Sequence, residues 1–312
     1  MTGGLVLIGG STASGKSALA LALAERTGGV VVNADSVQLY RDLPILTARP
    51  GAADLARAGH RLYGILDAHE TSSVAAWLAR VEPVLLELEG AGRPAIVTGG
   101  TGLYFKALLE GLPAIPDIPA GLRAGLRADP APTLALHARL AGLDPPLAAR
   151  LRPTDRQRIL RGLEVALATG RPLTAWQADP PVRPHLPKPR AGIALLPPPV
   201  LVGPRIEARL DAMLEAGLLA ELGAFKSRPP EATAALAKAD GVAEFSAFLE
   251  GRIDLDEARR RTVFKVRRYA KRQRTFFRGQ LAEALEPRAV AVEPSTQDAL
   301  AEALLRRLRA GA

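Results

Sequence analysis

Two kinds of apolar block alternate along the first hundred residues. Leu5-Val6-Leu7-Ile8 is a short unbroken apolar run, the pattern of a strand buried on both faces of a parallel sheet. Ala18 to Glu25 alternates Ala and Leu, both strong helix formers, and stops at Gly28-Gly29. Val30-Val31-Val32-Asn33-Ala34 and Ala95-Ile96-Val97-Thr98 predict a second and a third strand, and Ile193-Ala194-Leu195-Leu196 a fourth. Ser72-Ser73 can cap a helix carrying Val74, Trp77, Leu78, Val81 and Leu85, with a kink at Pro83 and Trp77 in the core. Residues 41–70 read as loop and short elements. A helix starts at Leu103. Another is opened by Pro204 and turns Ile206, Leu210, Met213 and Leu214 inward. A third spans Arg259–Arg278, its Val263, Phe264, Tyr269, Phe276 and Phe277 packing on the sheet; a short strand, Ala289-Val290-Ala291-Val292, and a closing helix from Gln297 follow.

Strand and helix alternate, which predicts an α/β fold with a parallel sheet flanked by helices. Between 112 and 190 the pattern changes. More than half of the 26 prolines lie there, around helical stretches near Leu134–Leu140 and Asp155–Ala168. This predicts an inserted all-helical unit, 112–190, on Pro-rich hinges, interrupting a core made of 1–111 and 191–312. In the second of these helices Ile159, Leu163 and Ala166 share a face, while Gln157, Arg158 and Arg161 form a basic edge, either a solvated face or a grip on phosphates.

Composition narrows the function. The chain has 312 residues and no Cys, which excludes disulfides, thiolate metal sites and Cys nucleophiles and predicts a cytoplasmic protein. Its four His show no metal-cluster spacing. No apolar run is long enough to span a bilayer, and the first strand starts too early for a signal peptide. Net charge is +9, yet ten basic residues and no acid lie between Arg259 and Arg278. The charge is therefore one local feature, suited to a polyanion, and nucleic acid fits better than a membrane.

The chemistry begins at the end of the first strand. Gly10-Ser11-Thr12-Ala13-Ser14-Gly15-Lys16-Ser17 has the spacing G-x-x-x-x-G-K-[ST], placed between a strand and a helix. Small residues let backbone N–H groups turn around a phosphate, and the helix N-terminus adds partial positive charge. Lys16 neutralises phosphate oxygens, and the Ser17 hydroxyl can hold Mg²⁺. Asp35 ends the second strand, where parallel sheets gather ligands, although a turn Asp capping the next element fits the same position. Gly99-Gly100-Thr101-Gly102 is a second glycine turn at a strand end, where Thr101 either faces the site or merely joins strand to helix. Arg205 and Arg209, four apart, either clamp a diphosphate or pair with Glu207 and Asp211 on the surface, and the spacing favours the surface pairs.

The stretches 10–17, 33–40 (NADSVQLY), 47–50 (TARP), 99–105 (GGTGLYF), 155–165 (DRQRILRGLEV), 205–209 (RIEAR) and 269–278 (YAKRQRTFFR) resemble, in order, the tRNA dimethylallyltransferase family, also called tRNA isopentenyltransferases. The resemblance covers nearly the whole chain. It implies a P-loop NTPase-like core with an inserted tRNA-binding helical domain. The implied reaction moves the dimethylallyl group of dimethylallyl diphosphate to N6 of the adenosine just 3′ of the anticodon, at tRNA position 37, with Mg²⁺ as cofactor and diphosphate leaving. Carried over, Gly10 to Ser17 bind the diphosphate of the prenyl donor, Asp35 is the general base, and Thr101 and Arg209 join it in catalysis. Asp35, Ser36, Val37, Gln38, Thr101, Arg123 and Gln157, Arg158, Ile159, Leu160 and Arg161 contact the tRNA anticodon stem-loop. The expected enzyme is a cytoplasmic monomer.

The chain departs from the family pattern at three places. Lys238-Ala239-Asp240-Gly241-Val242-Ala243-Glu244 stands where the family has a tRNA-contacting Gly-Tyr-Arg stretch. Leu46 replaces a Gly, and Arg267 follows Val266 where the family usually has Thr. Two other readings explain part of the sequence: a P-loop kinase of a small molecule or nucleotide, which needs no basic stretch, and a non-catalytic RNA-binding protein, which needs no phosphate loop.

Overall fold

A computed structural model describes residues 3–310 and builds one six-stranded sheet in which every pair of neighbouring strands is parallel. The strands are β1 (Gly4–Gly10), β2 (Val30–Asn33), β3 (Gly59–Arg61), β4 (Pro94–Gly99), β5 (Pro189–Leu195) and β6 (Glu286–Arg288), in the order β3-β2-β4-β1-β5-β6. Helices α1 (Lys16–Thr27), α2 (Ala52–Arg57), α3 (Val74–Gly90) and α4 (Gly102–Glu110) follow the early strands. Five helices, α5 (Ala120–Ala128), α6 (Thr133–Leu143), α7 (Pro145–Arg150), α8 (Arg156–Thr169) and α9 (Leu173–Ala178), come next. Helices α10 (Pro199–Glu215), α11 (Leu218–Lys226), α12 (Val242–Leu249), α13 (Leu255–Gln280) and α14 (Pro294–Ala310) complete the chain.

The contacts divide the chain into Met1–Leu109 with Pro184–Ala312, and Glu110–Arg183. In the first unit β1 is central, paired with β4 and β5, and its Leu5 to Ile8 are fully buried. That is why it reads as a continuous apolar run. Val6 and Ile8 pack with Leu19 and Leu23 of α1 and Leu304, Leu305 and Leu308 of α14. Phe277 of α13 is fully buried and lies edge-on to Phe105. The second unit has its own core, in which Leu140, Ile159 and Leu163 are fully buried. Segment 184–190, expected in the insertion, belongs to the sheet unit because β5 already begins at Pro189 and the His185 N–H donates to Glu82.

Several expected elements shift. The helix expected from Pro204 starts at Pro199, which takes its first position, so Pro204 lies inside α10. The last strand is Glu286–Arg288, not 289–292. Ala291 and Val292 are buried without joining the sheet; the Val292 N–H donates to the Ser14 carbonyl, 2.8 Å, and so braces the phosphate loop. α14 begins three residues before Gln297. α3 runs unbroken through Pro83, with Ser73 as its N-cap and Trp77 fully buried. Phe264, expected against the sheet, is exposed with the Arg268 guanidinium over its ring. No helix among the described residues is long and apolar enough to cross a membrane.

Candidate active site

The carboxyl ends of β1, β2 and β4 meet at one cavity of about 340 Å³. Thr12, Lys16 and Ser17 line it from the phosphate loop, Asp35 to Gln38 from the end of β2, and Arg209 from α10. The loop wraps as its spacing predicts. Gly10, Ala13 and Gly15 all have positive φ, and Gly15 caps α1 so that Lys16 is the first helical residue. Lys16 bends back, its Nζ donating to the Ser11 carbonyl at 3.2 Å. Burial pulls the Lys16 ammonium down to about 8 against the opposite pull of Asp35, with Arg209 adding to the fall. Arg209 donates to the Thr12 hydroxyl at 3.3 Å, and burial lowers its pKa as well. Two half-buried cations beside the phosphate loop and the N-terminus of α1 form a site for a polyphosphate.

The carboxylate opposite them is held from behind. Asn33, fully buried, accepts from the Asp35 N–H at 2.8 Å and donates to the carbonyls of Asp35 and Leu62, both at 3.0 Å. The Trp77 indole N–H donates to the Asn33 carbonyl, and the indole stacks on Tyr104 at 4.3 Å. Asp35 Oδ1 accepts from the Val37 N–H at 3.1 Å. Asp35 therefore has the turn geometry of its residue type, and Oδ2 is left to face a substrate. Thr101 sits beside it, its hydroxyl accepting from the Ser36 N–H at 3.0 Å.

Gln273 joins these parts. Its Oε1 accepts from the Thr12 N–H at 2.8 Å, and its Nε2 donates to the Gly100 carbonyl at 2.9 Å. One buried amide thus ties the phosphate loop to the second glycine turn. The approach requires Gly100, since a Cβ there would lie 2.1 Å from Gln273 Nε2. Sequence reasoning gave Gln273, Asn33 and Val292 no role at the site. The only signal for Gln273 was one uncharged amide among ten basic residues.

The sequence-predicted residues do not all gather here. Thr12, Lys16, Ser17, Asp35 to Gln38 and Arg209 line the cavity. Ser11 and Ser14 are buried with hydroxyls that have no hydrogen-bond partner among the described residues. Gln38 spends its amide on the carbonyls of Thr47 and Ala48. Arg205 separates from Arg209: it bonds the Val292 carbonyl and Glu293, not Glu207 or Asp211, which pair with Arg267 and Arg259. Two of the departures from the family pattern meet, because Leu46 lies against Gly241, and Arg267 crosses over Gly203.

Half of the basic helix is neutralised within the protein. Arg259, Arg260, Arg261, Lys265 and Arg267 pair with carboxylates, whereas Arg268, Lys271, Arg272, Arg274 and Arg278 have no ion-pair partner among the described residues. In the helical unit, Gln157, Arg158 and Arg161 are exposed. Ile159 and Leu160, expected to touch tRNA, point into that unit's core because the helix turns its apolar face there. Glu164, 3% exposed, lies 4.0, 3.4 and 3.6 Å from Arg123, Arg127 and Arg161 and draws three arginines together.

The sequence model of the IPP transferase family matches residues 38–280. This chain belongs to that family. It is 50% identical over 282 residues to the tRNA dimethylallyltransferase of Methylobacterium sp. (strain 4-46), covering 90% of this chain and 92% of the relative. It is 49% identical to the tRNA dimethylallyltransferase of Rhodopseudomonas palustris (strain TIE-1), over 89% of this chain and 93% of the relative. The crystal structure of the full-length tRNA isopentenylpyrophosphate transferase of Bacillus halodurans superposes with a TM-score of 0.69 at 30% identity, covering 98% of this chain and 97% of that one. A eukaryotic dimethylallyltransferase acting on tRNA shares the fold, with a TM-score of 0.80 at 23% identity over 97% of this chain and 78% of that one. An IPP transferase with this core has the P-loop NTPase-like architecture.

Proposed function

We propose that this chain transfers the dimethylallyl group of dimethylallyl diphosphate to N6 of adenosine 37 in tRNA, releasing diphosphate. The observation that carries the reading is Asp35, with Oδ2 unengaged, in one cavity with Lys16, Arg209 and the phosphate loop. An adenine amine is a weak nucleophile because its lone pair is delocalised into the ring. Asp35 accepts a hydrogen bond from N6 and then its proton as the N6–C1 bond forms and the C1–oxygen bond breaks. Lys16, Arg209 and the loop N–H groups hold the diphosphate and take up the charge that develops on it. Thr101, bonded to the turn that carries Asp35, positions the base. Relatives named tRNA dimethylallyltransferase support this reading over a P-loop kinase or a non-catalytic RNA-binding protein.

The donor set suits Mg²⁺ bound through the substrate. The Ser17 hydroxyl stands beside Lys16 in the cavity, and the described residues contain no cluster of three His, Cys, Asp or Glu. Ser17 and the donor's own diphosphate oxygens would hold the ion, which supplies further charge neutralisation when bound. The adenosine must leave its stack to reach Asp35. Arg123, Gln157, Arg158 and Arg161 supply contacts to the anticodon stem-loop, and the reaction runs in the cytoplasm.

The test incubates the protein with Mg²⁺, dimethylallyl diphosphate and an anticodon stem-loop carrying consecutive adenosines, then weighs the digested nucleosides. A prenyl-sized gain on adenosine, absent without the donor, is expected. Phosphoryl transfer from ATP to a small acceptor, with no prenyl gain, would overturn the reading.

A further inference from the structure

Helix α13 spends two of its three phenylalanines inside the protein and leaves the third outside. Phe277 is fully buried beside Phe105, and Phe276 packs over Gly102, where a Cβ would lie 2.3 Å from its ring. Phe264 is 61% exposed. It belongs to a stripe, Arg261, Phe264, Arg268, Lys271, Thr275 and Arg278, spaced alternately three and four residues apart. That spacing puts the stripe on one face of the helix, over roughly 25 Å at 1.5 Å per residue. Every member of it is exposed.

A single exposed apolar side chain is ordinary. The surroundings of Phe264 are not. The Arg268 guanidinium lies over its ring, 5.7 Å from the centroid, within cation–π range. Arg268, Lys271 and Arg278 have no ion-pair partner among the described residues, and Arg261 shares Glu257 with Arg260. The ring therefore stands in a run of cations, the surroundings that attract a polyanion. A partner that fits this face is anionic and offers a flat apolar surface. A second copy of this chain, laid on the same stripe, would oppose cation to cation. A nucleic-acid duplex offers phosphates but keeps its bases stacked inside. A single-stranded RNA segment offers both: an unpaired base stacks on an aromatic ring while its phosphates reach the cations.

We infer that Phe264 is a stacking platform for an unpaired RNA base, braced by the Arg268 guanidinium, with Lys271 and Arg278 meeting phosphates along the same strand. This rests on the proposed tRNA substrate and adds to it a contact from the N-terminal half of α13. Stacking gives that contact two properties the cations lack. It releases no counterion, so it leaves the salt dependence of binding untouched. It also requires a nucleotide outside a duplex.

The test measures binding across a salt series to an anticodon stem-loop and to an RNA duplex of the same length without unpaired bases. Phe264→Leu keeps an apolar side chain and removes the ring. It is expected to weaken stem-loop binding at least about fivefold, the lower end of what one base–aromatic stack supplies. The slope of log affinity against log salt stays at its wild-type value, and duplex binding is unchanged. Phe264→Tyr keeps the ring and the wild-type affinity. The side chain is exposed, so both variants should melt with wild type, which circular dichroism checks. Unchanged stem-loop affinity in Phe264→Leu overturns the inference, as does an equal loss on stem-loop and duplex. A changed oligomeric state in Phe264→Leu with normal RNA binding assigns the ring to a second copy and overturns it too. Wild type that does not bind the stem-loop overturns the tRNA reading itself.

Discussion

Lys16 shows how one residue's environment sets a testable property. Its ammonium, ordinarily at 10.5, is pulled down to about 8 chiefly by burial. Below pH 8 it carries the charge a diphosphate needs; above pH 8 it loses that charge. Binding of inorganic diphosphate, followed by titration calorimetry, should weaken as pH rises through 8. The ligand-free protein should behave oppositely. Between about 8 and 10.5 the unfolded chain holds a proton that the folded one has shed, so folding stability rises with pH in that window. Chemical denaturation at pH 8 and pH 10 checks this direction. The residues legible in sequence were those with a spacing or a strand end to mark them: Lys16, Asp35, Thr101. Asn33 and Gln273 were not legible, because a buried amide serving backbone groups leaves no periodic trace.

At the level of elements, the connections matter more than the helices they join. Gln273 reaches from α13 to the phosphate loop and to the Gly100 turn. Gln273→Leu strands the Thr12 N–H and the Gly100 carbonyl, and each unsatisfied buried group costs about 1–3 kcal/mol. A denaturant melt should show a loss of that size, and the KM for the donor should rise. Glu164 plays a comparable part in the helical unit. Glu164→Gln releases Arg123, Arg127 and Arg161 from a shared partner. Steady-state kinetics should show the KM for tRNA rising severalfold while the KM for the donor holds. Elements buried on both faces, such as β1 and β4, declared themselves as apolar runs. β3 did not, because Gly59-His60-Arg61 is an edge strand open to solvent. The run 289–292 misled because its burial serves the phosphate loop and not a strand ladder.

Over the whole molecule the charge has two fates. Net charge is +9, and the basic stretch of α13 holds ten positives. The N-terminal part of that stretch is bound to protein carboxylates. The C-terminal part, with Lys271, Arg272, Arg274 and Arg278, has no ion-pair partner among the described residues. Sequence alone showed the surplus but not its division, since the paired acids come from α10, α12 and the first turn of α13. Lys271→Ala should weaken tRNA binding and lower the slope of log affinity against log salt by about one, the change expected for one lost phosphate contact. Lys265→Ala, which removes a residue already paired with Glu244, should leave that slope near its wild-type value. Filter binding across a salt series separates the two.

The proposed reaction requires Asp35 as the base at a site whose phosphate loop holds the donor. Single-turnover transfer by Asp35→Asn, with tRNA binding measured on the same preparation, tests it most directly. Asp35→Asn is expected to react about a hundredfold to ten-thousandfold more slowly than wild type with tRNA affinity retained, the range a positioned general base supplies. A rate within a few-fold of wild type would contradict it.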